Sequence, residues 1–226
     1  MREHPHFSAA FIFFGLKVLS EEENFKLLDK ACSYGWSKHV GIDFVQQEDP
    51  FGSMEPYVRV GDRIVKKYAH MHLKKAYHAG ETKDHLNNNI ELAVRSGAVR
   101  IGHGLNIFKR VDYLAQCKHV CFELNPISNL LTGGMADIRM SSAPILLGLG
   151  YAVSISSDDP GKFGYEDTTV DYFAAAVCFN WTLKHLKLVA YHSINHAIVT
   201  EGERVKILEN FNQHWNQWVK EYLHSE

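Results

Sequence analysis

The chain predicts a parallel α/β fold of barrel type, and three observations lead there. Short apolar runs alternate with helical patterns at intervals of roughly 20–35 residues, the signature of parallel βα units. Distinctive polar residues fall where the apolar runs end: Asp43, His78, Glu81, His103, Asn125, Ser128, Asn129, Asp158 and Asp159. They fall at the end of nearly every run. In a parallel barrel all strand C-termini share one face, and that face holds the site. An open doubly wound sheet gathers its site residues at one switch point instead.

The elements follow in order. "FIFFGLKV" (11–18) reads as a fully buried strand. A helix follows, with Ser20 and Glu23 as a capping box, Phe25, Leu28 and Cys32 at helical spacing, and Gly35 to close it. "HVGIDFV" (39–45) is the second strand, and residues 57–71 read as helix despite Gly61. "KKAYHAG" (74–80) is a strand running into a turn. In "DHLNNNIELAVRSG", Asp84 is the expected cap, Leu86, Ile90, Ala93 and Val94 share a face, and Gly97 ends the helix. "VRIGHG" (99–104) is a short strand, with a helix near 109–117. "VCFELNP" is a fifth strand, Pro144 starts "PILLGLG", and "YAVSISSDD" is the sixth strand. From about 168 the pattern is helical to the C-terminus.

The 226 residues, 46% of them hydrophobic, suit one domain with a sizeable core or part of a larger one; we read 1–226 as a single unit. A net charge of −2 points to neither a nucleic acid nor a membrane surface as partner. The longest apolar run, "SAAFIFFGLKVL", is too short to span a bilayer, and no signal-type segment is present. The four cysteines make no C-x-x-C pair, which argues against a zinc ribbon or a thioredoxin-like site.

The strand-end residues suggest metal-assisted hydrolysis. His78 and Asp158 have the donor types of a zinc site. Glu81, three residues past His78, is placed for general acid or base work near a metal. His103 lies between two glycines that leave its ring open to a cavity. A bound metal lowers the pKa of water to about 7. Taken singly, "DDP" is a turn, "GHG" a loop and a strand-end histidine a structural residue. Their joint placement favours function. Cys117 and Cys121 read as buried apolar residues, and Ile207, Phe211, Trp215 and Trp218 as the core stripe of a helix. "NWT" (180–182) matches a glycosylation sequon, a pattern common by chance.

"HAGET", "RIGHG", "ELNPISN" and "SSDDP", in that order, resemble the adenosine deaminase family. "YHAGET", "NPISN" and "SISSDDPGKFG" are most similar to its secreted branch, the adenosine deaminase-related growth factors. The cytidine-type zinc deaminases carry a P-C-x-x-C signature, absent here. The resemblance implies a TIM-type (β/α)₈ barrel and hydrolysis of adenosine or deoxyadenosine to inosine and ammonia. It implies His78 and Asp158 as zinc ligands, Glu81 as proton donor to the purine ring and His103 as the residue orienting hydroxide. It further implies Asp158 as proton acceptor, with Asp159, Gly80 and position 46 at the substrate. The partner is then a small purine nucleoside, and the branch suggests an extracellular setting.

The pattern breaks in three places. The family's zinc takes two more histidines, an H-x-H at the end of the first strand. His4 and His6 come before strand 11–18, at the opposite face. His70 and His72 come before strand 74–78, and at about 3.3 Å per residue His72 lies roughly 20 Å along from His78. Strand 11–18 matches the family's third, so the barrel is expected to lack its first two strands. Zinc ligation is then incomplete and turnover impaired, and association through the open edges is expected. The second break is Gln46, where the family has a glycine against the purine; its side chain is expected to crowd that contact. Asn125 replaces a common cysteine tolerably. Two other readings stay open: a deaminase-like binding protein or relic without catalysis, and a related purine deaminase with another substrate.

Overall fold

Six apolar runs become six strands: β1 (Phe11–Leu16), β2 (His39–Val45), β3 (Lys74–Ala79), β4 (Ala98–His103), β5 (Cys121–Leu124) and β6 (Ala152–Ile155). The computed structural model describes residues 9–84 and 86–223. Every neighbouring pair is parallel, and the spatial order is the chain order from β1 to β6. That unbroken order is the order of a barrel wall, without the reversal of a doubly wound sheet. The architecture is a six-stranded part of a TIM-type barrel, with β1 and β6 as its two edges.

Ten helices connect and cover the strands among the described residues: α1 (Glu21–Ser33), α2 (Glu55–Lys67), α3 (Asn89–Arg95), α4 (Val111–Leu114), α5 (Pro126–Leu131), α6 (Ala143–Gly148), α7 (Pro160–Phe163), α8 (Thr169–Cys178), α9 (Leu183–Asn195) and α10 (Glu201–Leu223). The expected capping box starts α1: the Glu23 N–H donates to Ser20 Oγ at 3.3 Å, and the Ser20 N–H donates to Glu23 Oε2 at 2.9 Å. Gly61 sits inside α2 because the helix crosses close over β3; a Cβ there would lie 1.9 Å from the Tyr77 hydroxyl. Leu28, Ile64, Ile42 and Phe44 fill the layer between these helices and the sheet, all fully buried.

Four readings need correction. β1 is a strand as expected but not a fully buried one: as an edge of the sheet it leaves Phe11, Ile12 and Phe14 exposed. α3 starts at Asn89, not at Asp84, and Leu86 is 87% exposed. Side chains capture the backbone locally there: the Leu86 N–H donates to Asp84 Oδ1, the Asn89 N–H to Asn87 Oδ1, and Asn89 itself bridges Gly52 O and the Met54 N–H. α5 was not anticipated, though Pro126 in its first turn is a helix-start signal. The stripe from Ile207 to Trp218 is helical as expected but is not core, because α10 buries none of its residues. Phe211, Trp215 and Trp218 line instead an open groove of about 420 Å³ against Tyr172, Leu183 and Leu186.

Candidate active site

The candidate residues gather at the strand C-termini. His78 sits near the end of β3, and its side chain is fixed from β2. Its Nδ1 lies 2.7 Å from Asp43 Oδ2, and its backbone N–H donates to Asp43 Oδ1 at 2.9 Å. Burial alone pushes this imidazole down; the Asp43 carboxylate beside it outweighs burial and raises the pKa to about 9. With Nδ1 held by a carboxylate, Nε2 is the nitrogen left for a ligand, the usual arrangement around a metal-binding histidine. Gly102 on β4 leaves the space: a Cβ there would stand 3.2 Å from the His78 ring.

His103 ends β4 with φ 65° and is 1% exposed. Its Nδ1 lies 2.7 Å from Asn129 Oδ1 on α5. With Nδ1 donating there, Nε2 faces the cleft, 3.8 Å from Glu81 Oε2 and 3.9 Å from Asp158 Oδ2. Asp158, just past β6, takes φ 60° and accepts a hydrogen bond from Ser128 Oγ at 2.6 Å. The loop behind it is tied down by Tyr165, whose hydroxyl donates to the buried Asp171 carboxylate at 2.9 Å.

Ligand atoms of His78, His103 and Asp158 lie within 4.8 Å of one another. Two imidazoles and a carboxylate are zinc-type donors, and donors about 2.0–2.2 Å from one ion sit roughly 3.3 Å apart. The three donors lie near enough to one another for side-chain movement alone to bring them onto one ion. The buried Asn125 Oδ1, beside the His103 ring, finds no protein partner, so the cleft has unspent hydrogen-bonding capacity. The donor set fits a metal.

The expected residues are thus largely together. His78, Glu81, His103 and Asp158 form one cluster at the strand ends, and His103 lies near enough to offer a third donor where two were counted. His70 and His72 sit in a turn before β3, at the far end of that strand, as expected. His4 and His6 lie outside the described residues. Gly80 is buried at φ 79°, and its N–H is given to the Glu48 carboxylate. Gln46 takes φ 97°, a conformation suited to glycine, and its Oε1 accepts the Val18 N–H at 2.9 Å. Its side chain is exposed and bound to the segment after β1. Asp159 stands at the start of α7 without a side-chain capping bond, is exposed, and lies 4.0 Å from the Lys162 ammonium. The sequence reading missed Lys17 and Glu48, a buried ion pair; the signal was a lysine at the end of an apolar run.

Solved structures of similar fold include a deaminase and an amidohydrolase. An adenine deaminase from Arthrobacter aurescens superposes with TM-score 0.79 and 21% identity over 94% of this chain and 62% of its own. An amidohydrolase from Burkholderia ambifaria, solved with bound zinc, gives TM-score 0.83 and 17% identity over 97% of this chain and 60% of its own. At those identities the likeness is one of fold. Among sequence relatives, pig adenosine deaminase 2 is 30% identical over 189 residues, 80% of this chain and 37% of its own length. An adenosine deaminase of Aedes albopictus is 30% identical over 228 residues, 95% of this chain and 42% of its own. The chain thus spans about two fifths of these relatives. The adenosine deaminase family model matches residues 11–214, nearly the whole described chain, and the protein belongs to that family.

Proposed function

We propose that residues 1–226 form one deaminase-type unit carrying the catalytic face of a zinc-dependent aminohydrolase. Its reaction is adenosine, or deoxyadenosine, plus water to inosine plus ammonia. The observation that carries this reading is the convergence of Glu81, His78, His103 and Asp158 in one cleft. His78 and Asp158 would hold the zinc, each steadied from behind by Asp43 and Ser128. When bound, zinc supplies water acidic enough to react near neutral pH. Glu81 then gives a proton to the purine ring as water adds at C6, and Asp158 takes a proton from that water. His103, 3.8–3.9 Å from both carboxylates, orients the water between them. Asp159 and Gly80 meet the purine. The extracellular setting suggested by the resemblance goes with this reading.

Two donors fall short of the three protein ligands usual for catalytic zinc. The 226-residue chain is therefore expected to bind zinc weakly and turn over slowly. A second reading has one observation in its favour: His103 lies close enough to serve as third donor. His103→Ala separates the two, because loss of zinc marks a ligand and retained zinc with lost turnover marks an orienting residue. The main test measures zinc per chain and the absorbance change from adenosine to inosine. Glu81→Gln should keep the zinc and lower turnover by about 10²–10⁴-fold, since an amide cannot deliver the proton. Unchanged turnover in Glu81→Gln would refute the assignment. A panel of adenosine, deoxyadenosine, AMP, N6-methyl-AMP and methylthioadenosine tests the substrate. Inactivity on all five favours a non-catalytic binding protein.

A further inference from the structure

His78, near the end of β3, and Glu81, two residues past that strand, lie on one four-residue segment, and that segment is gripped from behind. Lys17, just past β1, reaches across β2 to the end of β3. Its ammonium donates to the His78 carbonyl at 3.0 Å and stands 3.2 Å from Glu48 Oε1. Both oxygens of Glu48 accept the Gly80 N–H, at 3.1 and 3.0 Å. The Glu48 N–H in turn donates to the Glu81 carbonyl at 3.2 Å. The residues flanking the catalytic cleft are therefore held at three backbone groups by two charged residues from other strand ends.

The grip is itself anchored. The Lys17 carbonyl accepts the Tyr57 hydroxyl at 2.5 Å, and its N–H donates to Val45 O at 3.2 Å. Lys17 and Glu48 side chains are each 1% exposed. Charges this deep are expensive to bury, and an apolar pair of similar volume often holds a fold as well or better. Gly80 completes the fit. Its φ of 79° and the Asn106 oxygen, 2.5 Å from where a Cβ would stand, leave no room for a side chain against the carboxylate.

We propose that Lys17 and Glu48 are positioning residues: the pair fixes the 78–81 segment at the end of β3 so that the Glu81 carboxyl faces His103 while the His78 ring stays seated on Asp43. Neither touches the substrate. The inference rests on the proton-donor and metal-ligand roles given to Glu81 and His78.

The test uses the full chain with Lys17→Met/Glu48→Leu, which removes both charges together and leaves neither stranded. Glu48→Gln is the milder companion, keeping one acceptor oxygen for Gly80. Four quantities are measured: melting temperature in chelator, amide exchange at Gly80 and Glu81, cobalt(II) binding by titration, and kcat with KM on adenosine. The double variant should melt close to the parent. Its Gly80 amide should exchange at least about tenfold faster relative to residues 75–77, and cobalt binding should weaken by about 10–100-fold. Turnover should fall by about 10²-fold in kcat with KM little changed, the mark of a misplaced acid. Glu48→Gln should shift each quantity in the same direction by less. A stable double variant with parental amide exchange would overturn the inference, and so would parental cobalt binding where the parent binds the metal. Should the double variant fail to fold, Glu48→Gln decides by the same exchange measurement. A parent chain inactive on every purine of the panel would count against the proposed function in favour of the non-catalytic reading, and the exchange comparison would still decide this one.

Discussion

β1 and β6 end the same sheet but meet their surroundings differently. β6 is buried along its whole length, with α9 lying over it. On its open side the Val153 N–H is not left free: it donates to His192 Nδ1 on α9 at 3.2 Å. β1 has no such cover among the described residues. Phe11, Ile12 and Phe14 are 49, 41 and 52% exposed, Phe13 is half-buried against Trp36 and His39, and Phe11 also rests on Trp36. Among the described residues, one edge of the sheet is thus closed by the chain's own helix and the other is left apolar. Exposed apolar edges are the usual places of strand-to-strand association.

That contrast can be broken from either side. The largest expected effect is at β1. The parent chain should associate at micromolar concentration, and Ile12→Lys/Phe14→Lys should bring it to monomer with little change in melting temperature. Sedimentation velocity reads this, and a monomeric parent would remove the premise. Next is His192→Ala, which strips the Val153 N–H of its partner. It should cost about 1–3 kcal/mol in denaturant melts, the usual penalty for an orphaned buried donor.

His192 also gives the covered edge a pH dependence. Burial holds its pKa below 6.5. The unfolded chain therefore binds a proton that the folded chain refuses, and stability falls as pH drops from 6.5 toward the folded pKa. His192→Gln should flatten that part of the acid limb, although His39 and His196, also lowered by burial, keep some of it. The smallest effect is at α1, beside the bare edge. Ser20→Ala removes the capping box and should cost about 1 kcal/mol without altering association.

The strands were legible because their signal is local. An apolar run bounded by turn residues needs no partner to be recognised, and each of the six was placed to within a few residues. α3 was misread because three consecutive asparagines can bind their own backbone, and whether they do depends on α2 nearby. α10 shows the converse. Its stripe has helical spacing, but what faces a stripe is not written in the stripe. The same limit applies at the site. His78, Glu81, His103 and Asp158 follow strand ends and so fall on one face. Lys17 and Glu48 lie 31 residues apart, and nothing in either stretch names the other. Gln46 was expected to crowd the cleft from its position alone; its bond to Val18 depends on a neighbouring strand end.

The left-handed backbone at the strand ends also shapes which sequences this site tolerates. Gln46, His103 and Asp158 all take φ between 60° and 97°. Left-handed geometry costs most residues roughly 1–2 kcal/mol, least for glycine, asparagine and aspartate. A substitution at 158 is therefore filtered twice, once for carboxylate chemistry and once for backbone fit. Alanine fails both filters, whereas asparagine and glycine fail only the first. In a randomised library sorted first for folded protein and then for turnover, asparagine and glycine at 158 should pass the first sort ahead of alanine and all three should fail the second. At 46 the order reverses in meaning: glycine relaxes the backbone but gives up the Val18 bond, so its enrichment or depletion in the first sort weighs the one against the other.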